Sequence, residues 1–226
     1  MLDIYKDRHK GERCIIICNG PSLNKMDLSF LKHEICFGLN KIYLGFRKFD
    51  FYPKYYVSVN EKVLRQSEAE IKELTSIKFL SNRCPDIFKN NSLTHILDTS
   101  NPQHRFCKDI SSGIEEGWTV TYAALQIAYY MGFTNVIIIG MDHRFSFTGN
   151  ANEENILIGE DVNHFSNEYF ANSAWDNPDL LNSEESYRIA KDVYESEGRH
   201  IYDATVNGNC NIFNKIDYLK LFEGKV

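Results

Sequence analysis

Asn19-Gly20-Pro21-Ser22 stands directly behind the apolar run Arg13-Cys-Ile-Ile-Ile-Cys18. An Asn amide both donates and accepts, and Gly lets a backbone come close to a phosphate or ribose, so this turn could hold a nucleotide. An ordinary Asn-Gly-Pro turn would use the same residues. Asn40 and Asn60 repeat the placement, each closing an apolar run. Gly117 to Thr121 brings a glycine and hydroxyls to a helix start, where N–H groups attract anions and where Thr119 or Thr121 also serves as a cap. Gly140-Met141-Asp142-His143 follows a further apolar run. A carboxylate there could orient a hydroxyl, hold a divalent ion or position the neighbouring imidazole. His164, in Asn163-His-Phe-Ser166, offers an imidazole that could take a proton from an attacking hydroxyl. Tyr169 and Trp175 read as the local core of their segment rather than as stacking groups. His9, His33, His95, His104 and His200 show no metal-ligand spacing.

The elements that must position these residues follow from the apolar pattern. Arg13–Cys18 is short and continuously apolar, which predicts a strand buried on both faces; the runs 34–39, 55–59, 76–80 and 200–205 read as strands too, and 135–140 is the clearest of all. The spacing predicts a helix over 61–74 and another through 122–131 that stops at Gly132. Ser183 is the expected cap of a last helix, with Glu184 and Glu185 in its first turn and its end at Gly198. Residues 82–116 read as a long irregular excursion, and about 144–181 as a mobile lid or substrate loop. Strand, helix, strand in this rhythm implies right-handed crossovers: an α/β, Rossmann-like, mostly parallel sheet flanked by helices. In such a sheet, ligands bind beyond the carboxyl ends of the strands, where the Asn residues fall.

At 226 residues the chain suits a single nucleotide-binding domain over 1–226, with the lid inside it. Its net charge of −6 argues against nucleic acid as a partner, because phosphate backbones need a basic stripe. No apolar run approaches the roughly 20 residues of a membrane span, and the charged start MLDIYKDRHKGER is not a signal peptide. A cytoplasmic protein is expected, with peripheral membrane attachment and self-association both left open. The six cysteines are scattered, which predicts reduced, buried thiols and no zinc site.

Asn19-Gly-Pro-Ser-Leu23, Phe37-Gly-Leu-Asn-Lys-Ile-Tyr-Leu-Gly45, the stretch Gly117–Phe133 and Gly140-Met-Asp-His143 together resemble the bacterial family named after an archaeal hydroxymethylpterin diphosphokinase. That family includes flagellar motility accessory factors, implicated in attaching nonulosonic sugars. The tail, with Ser183-Glu-Glu-Ser-Tyr187 and Asp203-Ala-Thr205, extends the resemblance over nearly the whole chain. The order of elements is also similar to glycosyltransferase family 42, small bacterial sialyltransferases that use a CMP-activated sugar. That likeness implies nucleotide contacts from Asn19, Gly20, Asn40 and Asn60, a general base at His164, and no cofactor. The paired lid tyrosines of that family have no counterpart here.

The resemblance therefore implies a glycosyltransferase that moves a sialic or related nonulosonic acid from a CMP-sugar to a glycan hydroxyl. Catalysis would fall to His164 and Asp142, and nucleotide binding to Asn19, Gly20, Pro21, Ser22, Asn40, Asn60, Thr119 and Gly140. Its partners would be a nucleotide sugar and a glycan or glycoconjugate acceptor. Two alternatives stand beside it: an ATP-dependent diphosphokinase with magnesium near Asp142, and a non-catalytic nucleotide-binding accessory protein.

Overall fold

A computed structural model describes residues 2–100 and 105–222. His104 and the rest of 101–104 lie outside the described residues. Strands β1 (Arg13–Ile17), β2 (Cys36–Leu39), β3 (Tyr55–Ser58), β4 (Ile77–Ser81), β5 (Thr94–Leu97), β6 (Asn135–Ile139), β9 (His200–Asp203) and β10 (Asn214–Lys215) form one sheet in the order 10-9-6-1-2-3-4-5. Every pairing in it is parallel. The remaining strands, β7 (Glu154–Leu157) and β8 (Ser173–Asp176), make a separate antiparallel ribbon. The helices are α1 (Phe46–Phe49), α2 (Glu61–Gln66), α3 (Glu68–Glu73), α4 (Val120–Tyr130) and α5 (Leu180–Glu195), with short 3₁₀ turns between elements.

The continuous apolar strands are explained by cores on both faces of the sheet. Cys14 and Ile16 of β1, with Val136 and Ile138 of β6, pack into the core that holds α4 and α5. The alternate residues Ile15, Ile17, Ile137 and Ile139 face a second core with Leu23, Phe46, Phe165, Tyr169 and Trp175. Each such isoleucine, fully removed from water, contributes about 1.5–3 kcal/mol before the entropy of ordering is counted. All six cysteines are free and buried. Among the described residues no helix is long and apolar enough to cross a membrane.

The structure departs from the sequence expectations in several places, the added edge strand β10 among them. The helix over 61–74 is two helices, because Ser67 ends α2 at φ −118°, ψ 22° and α3 starts afresh behind it. The excursion 82–116 contains β5, whose polar Thr94 and His95 are buried; His95 Nε2 meets the Tyr5 hydroxyl at 2.8 Å. The stretch 144–181 is a folded insert, built on the β7–β8 ribbon, with Phe165, Tyr169, Phe170 and Trp175 in the core. The last helix starts at Leu180 and is capped by Asp179, whose Oδ1 accepts the Asn182 N–H at 3.1 Å. Ser183 lies inside its first turn, with its hydroxyl donated to the Trp118 carbonyl at 3.4 Å.

Candidate functional site

From β1 the chain builds outward through β2, β3, β4 and β5, then returns through α4 to β6 on the other side of β1. The strand order therefore reverses between β1 and β6, and the loops leaving their carboxyl ends part to form a crevice. A cleft of about 630 Å³ opens there, lined by Asn19, Gly20 and Gly140 from the two strand ends, Thr119 from the start of α4, and His164 from the insert. That volume suits a nucleotide-sized ligand.

Asn19 follows β1, with only 8% of its surface exposed. Its Nδ2 donates to the Leu39 carbonyl at 3.1 Å and its own carbonyl accepts the Phe165 N–H at 2.9 Å. Its Oδ1 has no hydrogen-bond partner although it is buried. A buried amide oxygen without a donor is costly, so a cleft that offers one is shaped for a ligand N–H or O–H. Gly20 works differently from the expectation. A Cβ there would lie 1.9 Å from Asp142 Oδ2 and 2.6 Å from the Gly140 carbonyl oxygen, so the close approach that requires glycine is made by the protein itself. Pro21 begins a 3₁₀ turn, and neither it nor Ser22 lines the cleft.

Asp142 is likewise spent internally. Its Oδ2 accepts the Ser22 hydroxyl at 2.6 Å and its Oδ1 the Ser22 N–H at 3.2 Å, so the carboxylate rivets the β6 loop to the β1 turn. Among the described residues no three His, Cys, Asp or Glu side chains gather at one point. Asn40, at φ +46°, accepts the Ser58 hydroxyl at 3.2 Å. Asn60 caps α2 by accepting the Val63 N–H at 3.1 Å, and Thr119 caps α4 by accepting the Thr121 N–H at 3.3 Å. All three also line the cleft. Cys18, another lining residue, has its thiol pushed up to about 12 by burial, which removes it as a nucleophile.

On the opposite wall, His164 Nδ1 meets Asp161 Oδ2 at 2.8 Å, and the ring stacks on Tyr169 with centroids 3.9 Å apart. Asp161 is fully buried and also accepts the N–H groups of Asn163 at 2.8 Å and Phe170 at 3.1 Å. Burial alone would raise its pKa, but the bond to His164 and these N–H groups hold it below the usual carboxylate range. The carboxylate thereby fixes the ring and its tautomer, leaving Nε2 with no hydrogen-bond partner among the described residues. This dyad is the residue pair that the sequence reading missed. Its signal was the three-residue spacing of Asp161 and His164. A second imidazole, His143, meets Glu184 Oε1 through Nε2 at 3.1 Å on the α5 side of the cleft.

Charge in the cleft is mostly neutralised. Lys62 pairs with Asp176 and, at 2.7 Å, with Glu154, tying α2 to the ribbon. Lys41 is buried behind the wall, donating to the Tyr169 carbonyl at 2.8 Å and to Gln66 at 3.0 Å; burial lowers its pKa. Arg144, exposed at the cleft, has no ion pair among the described residues and is free to meet an anion.

The family model for 6-hydroxymethylpterin diphosphokinase MptE-like proteins matches residues 1–148. The chain belongs to this family. The matched span of this MptE-like chain runs from β1 through β6 and Asp142 and ends before the β7–β8 ribbon, so the strand-end wall falls within the match and the His164 wall beyond it. No curated protein matches the chain. Among solved structures, the MAf glycosyltransferase from Magnetospirillum magneticum AMB-1 is similar, with a TM-score of 0.58 over 94% of this chain at 13% identity. At that identity the likeness concerns the fold, and this chain spans 36% of the other's length.

Proposed function

We propose that this chain is a glycosyltransferase that moves a sialic or related nonulosonic acid from a CMP-linked donor to a glycan hydroxyl. The observation that carries this reading is the Asp161–His164 dyad on the wall of a cleft at the sheet's reversal point, with Nε2 left open. Nε2 takes the proton of the acceptor hydroxyl, the freed oxygen bonds to the anomeric carbon, and the bond from that carbon to the phosphate oxygen breaks. The electron pair leaves with CMP, and the configuration inverts. The unpartnered Oδ1 of Asn19 receives an N–H or O–H of the nucleotide, while Asn40, Asn60, Gly140 and the capped start of α4 border it. No step runs through a metal. The fold likeness to a protein named as a glycosyltransferase supports the class of reaction.

The family's own name favours a second reading, an ATP- and magnesium-dependent diphosphokinase. One experiment separates the two. Calorimetry with CMP, UDP, ADP and GDP, each with and without magnesium, is expected to give the tightest binding for CMP, independent of the metal. Asn19→Ala should weaken CMP by about 1–3 kcal/mol. With an active donor and acceptor, His164→Ala should lose about 10²–10⁴-fold in turnover while still binding CMP. Tighter binding of ADP that requires magnesium, or wild-type turnover in His164→Ala, would overturn the proposal.

A further inference from the structure

Gly117 and Trp118 both lie in the left-handed region, each at φ +58°. Glycine accepts this conformation, and here it must be glycine: a Cβ would fall 2.2 Å from Tyr122 Cδ1 and 2.9 Å from Ser186 Oγ. For a bulky tryptophan the same conformation is a costly outlier, kept only where the surroundings dictate it. The surroundings do so through the backbone. The Gly117 N–H donates to Glu115 Oε1 at 3.1 Å, the Thr119 N–H to the Glu116 carbonyl at 3.1 Å, and the Ser183 hydroxyl to the Trp118 carbonyl at 3.4 Å.

The indole itself is more weakly held. It is 57% exposed, lines the cleft, and has no ring or hydrogen-bond partner among the described residues. Of the other large aromatics of the cleft, Tyr169, Phe170, Trp175 and Tyr187 are buried in its walls and Phe145 is half-buried. A ring more than half exposed gains little from packing, which does not by itself account for a tryptophan strained into this position. An open aromatic face at the mouth of a cleft is suited to stacking on a planar ring.

We propose that Trp118 is the stacking platform of the cleft, its indole covering one face of the nucleobase of the bound nucleotide. This rests on the reading that a nucleotide binds here and adds the element that grips its base. A base also carries polar groups at its edge, which suits a cleft whose Asn19 Oδ1 lacks a donor.

The test is Trp118→Asn, since Asn tolerates a left-handed backbone, measured by calorimetry with CMP and by thermal unfolding. CMP affinity is expected to fall about five- to hundredfold with Tm unchanged or raised, and Trp118→Phe to restore most of the affinity. In the wild type, CMP should also protect the exposed indole from acrylamide quenching, a signal the variant lacks. A variant that binds CMP as tightly as the wild type would overturn the platform alone. So would a loss of affinity that comes with a lowered Tm and is not rescued by Phe. If the wild type binds no nucleotide at all, both the platform and the nucleotide reading fall.

Discussion

At the carboxyl ends of β1 and β6 the cleft wall is carried by a strand paired on both sides, whereas in the insert that carries His164 it is carried by a two-stranded ribbon and its loops. β1 is paired on both sides, from Arg13↔Asn135 to Ile17↔Ile139 with β6 and from Ile15↔Cys36 to Ile17↔Gly38 with β2, and its last four residues are buried. β7 has one partner strand, and its residues alternate between exposed and half-buried. Order in the insert comes from its buried aromatics and from single polar groups. Asp161 gathers His164, Asn163 and Phe170, and Asn177 Nδ2 holds the Thr148 and Asn150 carbonyls, each at 2.8 Å. The lesson is one of leverage: the first wall shares its stability with the whole sheet, while the second depends on a few side chains that can be removed one at a time.

The sharpest test of this contrast is a pair of truncations. Ile138→Ala, in the fully buried middle of β6, should cost about 2–5 kcal/mol in urea unfolding. Ile156→Ala, at a ribbon position 68% exposed, should stay within about 0.5 kcal/mol. Comparable losses would break the comparison. A smaller effect is expected where the two strand ends touch. Gly20→Ala drives a Cβ into Asp142 and the Gly140 carbonyl, and should cost about 1–3 kcal/mol by the same measurement. A neutral result would mean that the Asp142 to Ser22 rivet yields freely.

The smallest effect lies in acid. A carboxyl whose folded pKa is depressed, as that of Asp161 is, adds stability above its unfolded pKa of about 4 and loses it as pH falls through the lower folded value. Amide exchange across 161–170 should therefore speed up below about pH 4 while β6 stays protected, and Asp161→Asn should flatten that acid response. Simultaneous opening of β6 and the insert would show that they unfold as one unit.

Much of the first wall was legible because buried parallel strands must be apolar on both faces, and such runs stand out in a chain. The strands ending near Asn19, Asn40 and Asn60, and the Thr119 cap, fall where the pattern put them. β5 did not stand out, because it carries the polar Thr94 and His95, and the Nε2 of His95 meets a partner, the Tyr5 hydroxyl, ninety residues away in sequence. The start of α5 was also hidden: Asp179 and Ser183 are both good cap types, and in the fold Asp179 accepts the capping Asn182 N–H while Ser183 turns its hydroxyl to the Trp118 carbonyl. In the insert, mixed polar residues gave no period to read.

The sequence alone determined the alternation of buried strands and helices, and with it an α/β sheet whose strand ends carry Asn and Gly, since these follow from local hydrophobic pattern and turn chemistry. Only the tertiary structure decided which polar groups are spent and which remain open. Asp142 lines the cleft with its carboxylate already tied to Ser22, 120 residues away in sequence. His164 was a lone imidazole until Asp161 proved buried behind it, and Asn19, which lines the cleft, kept an unmatched buried oxygen. Whether a hydrogen-bonding group is satisfied depends on what the fold brings within about 3 Å of it, and residue type and spacing along the chain do not encode that distance.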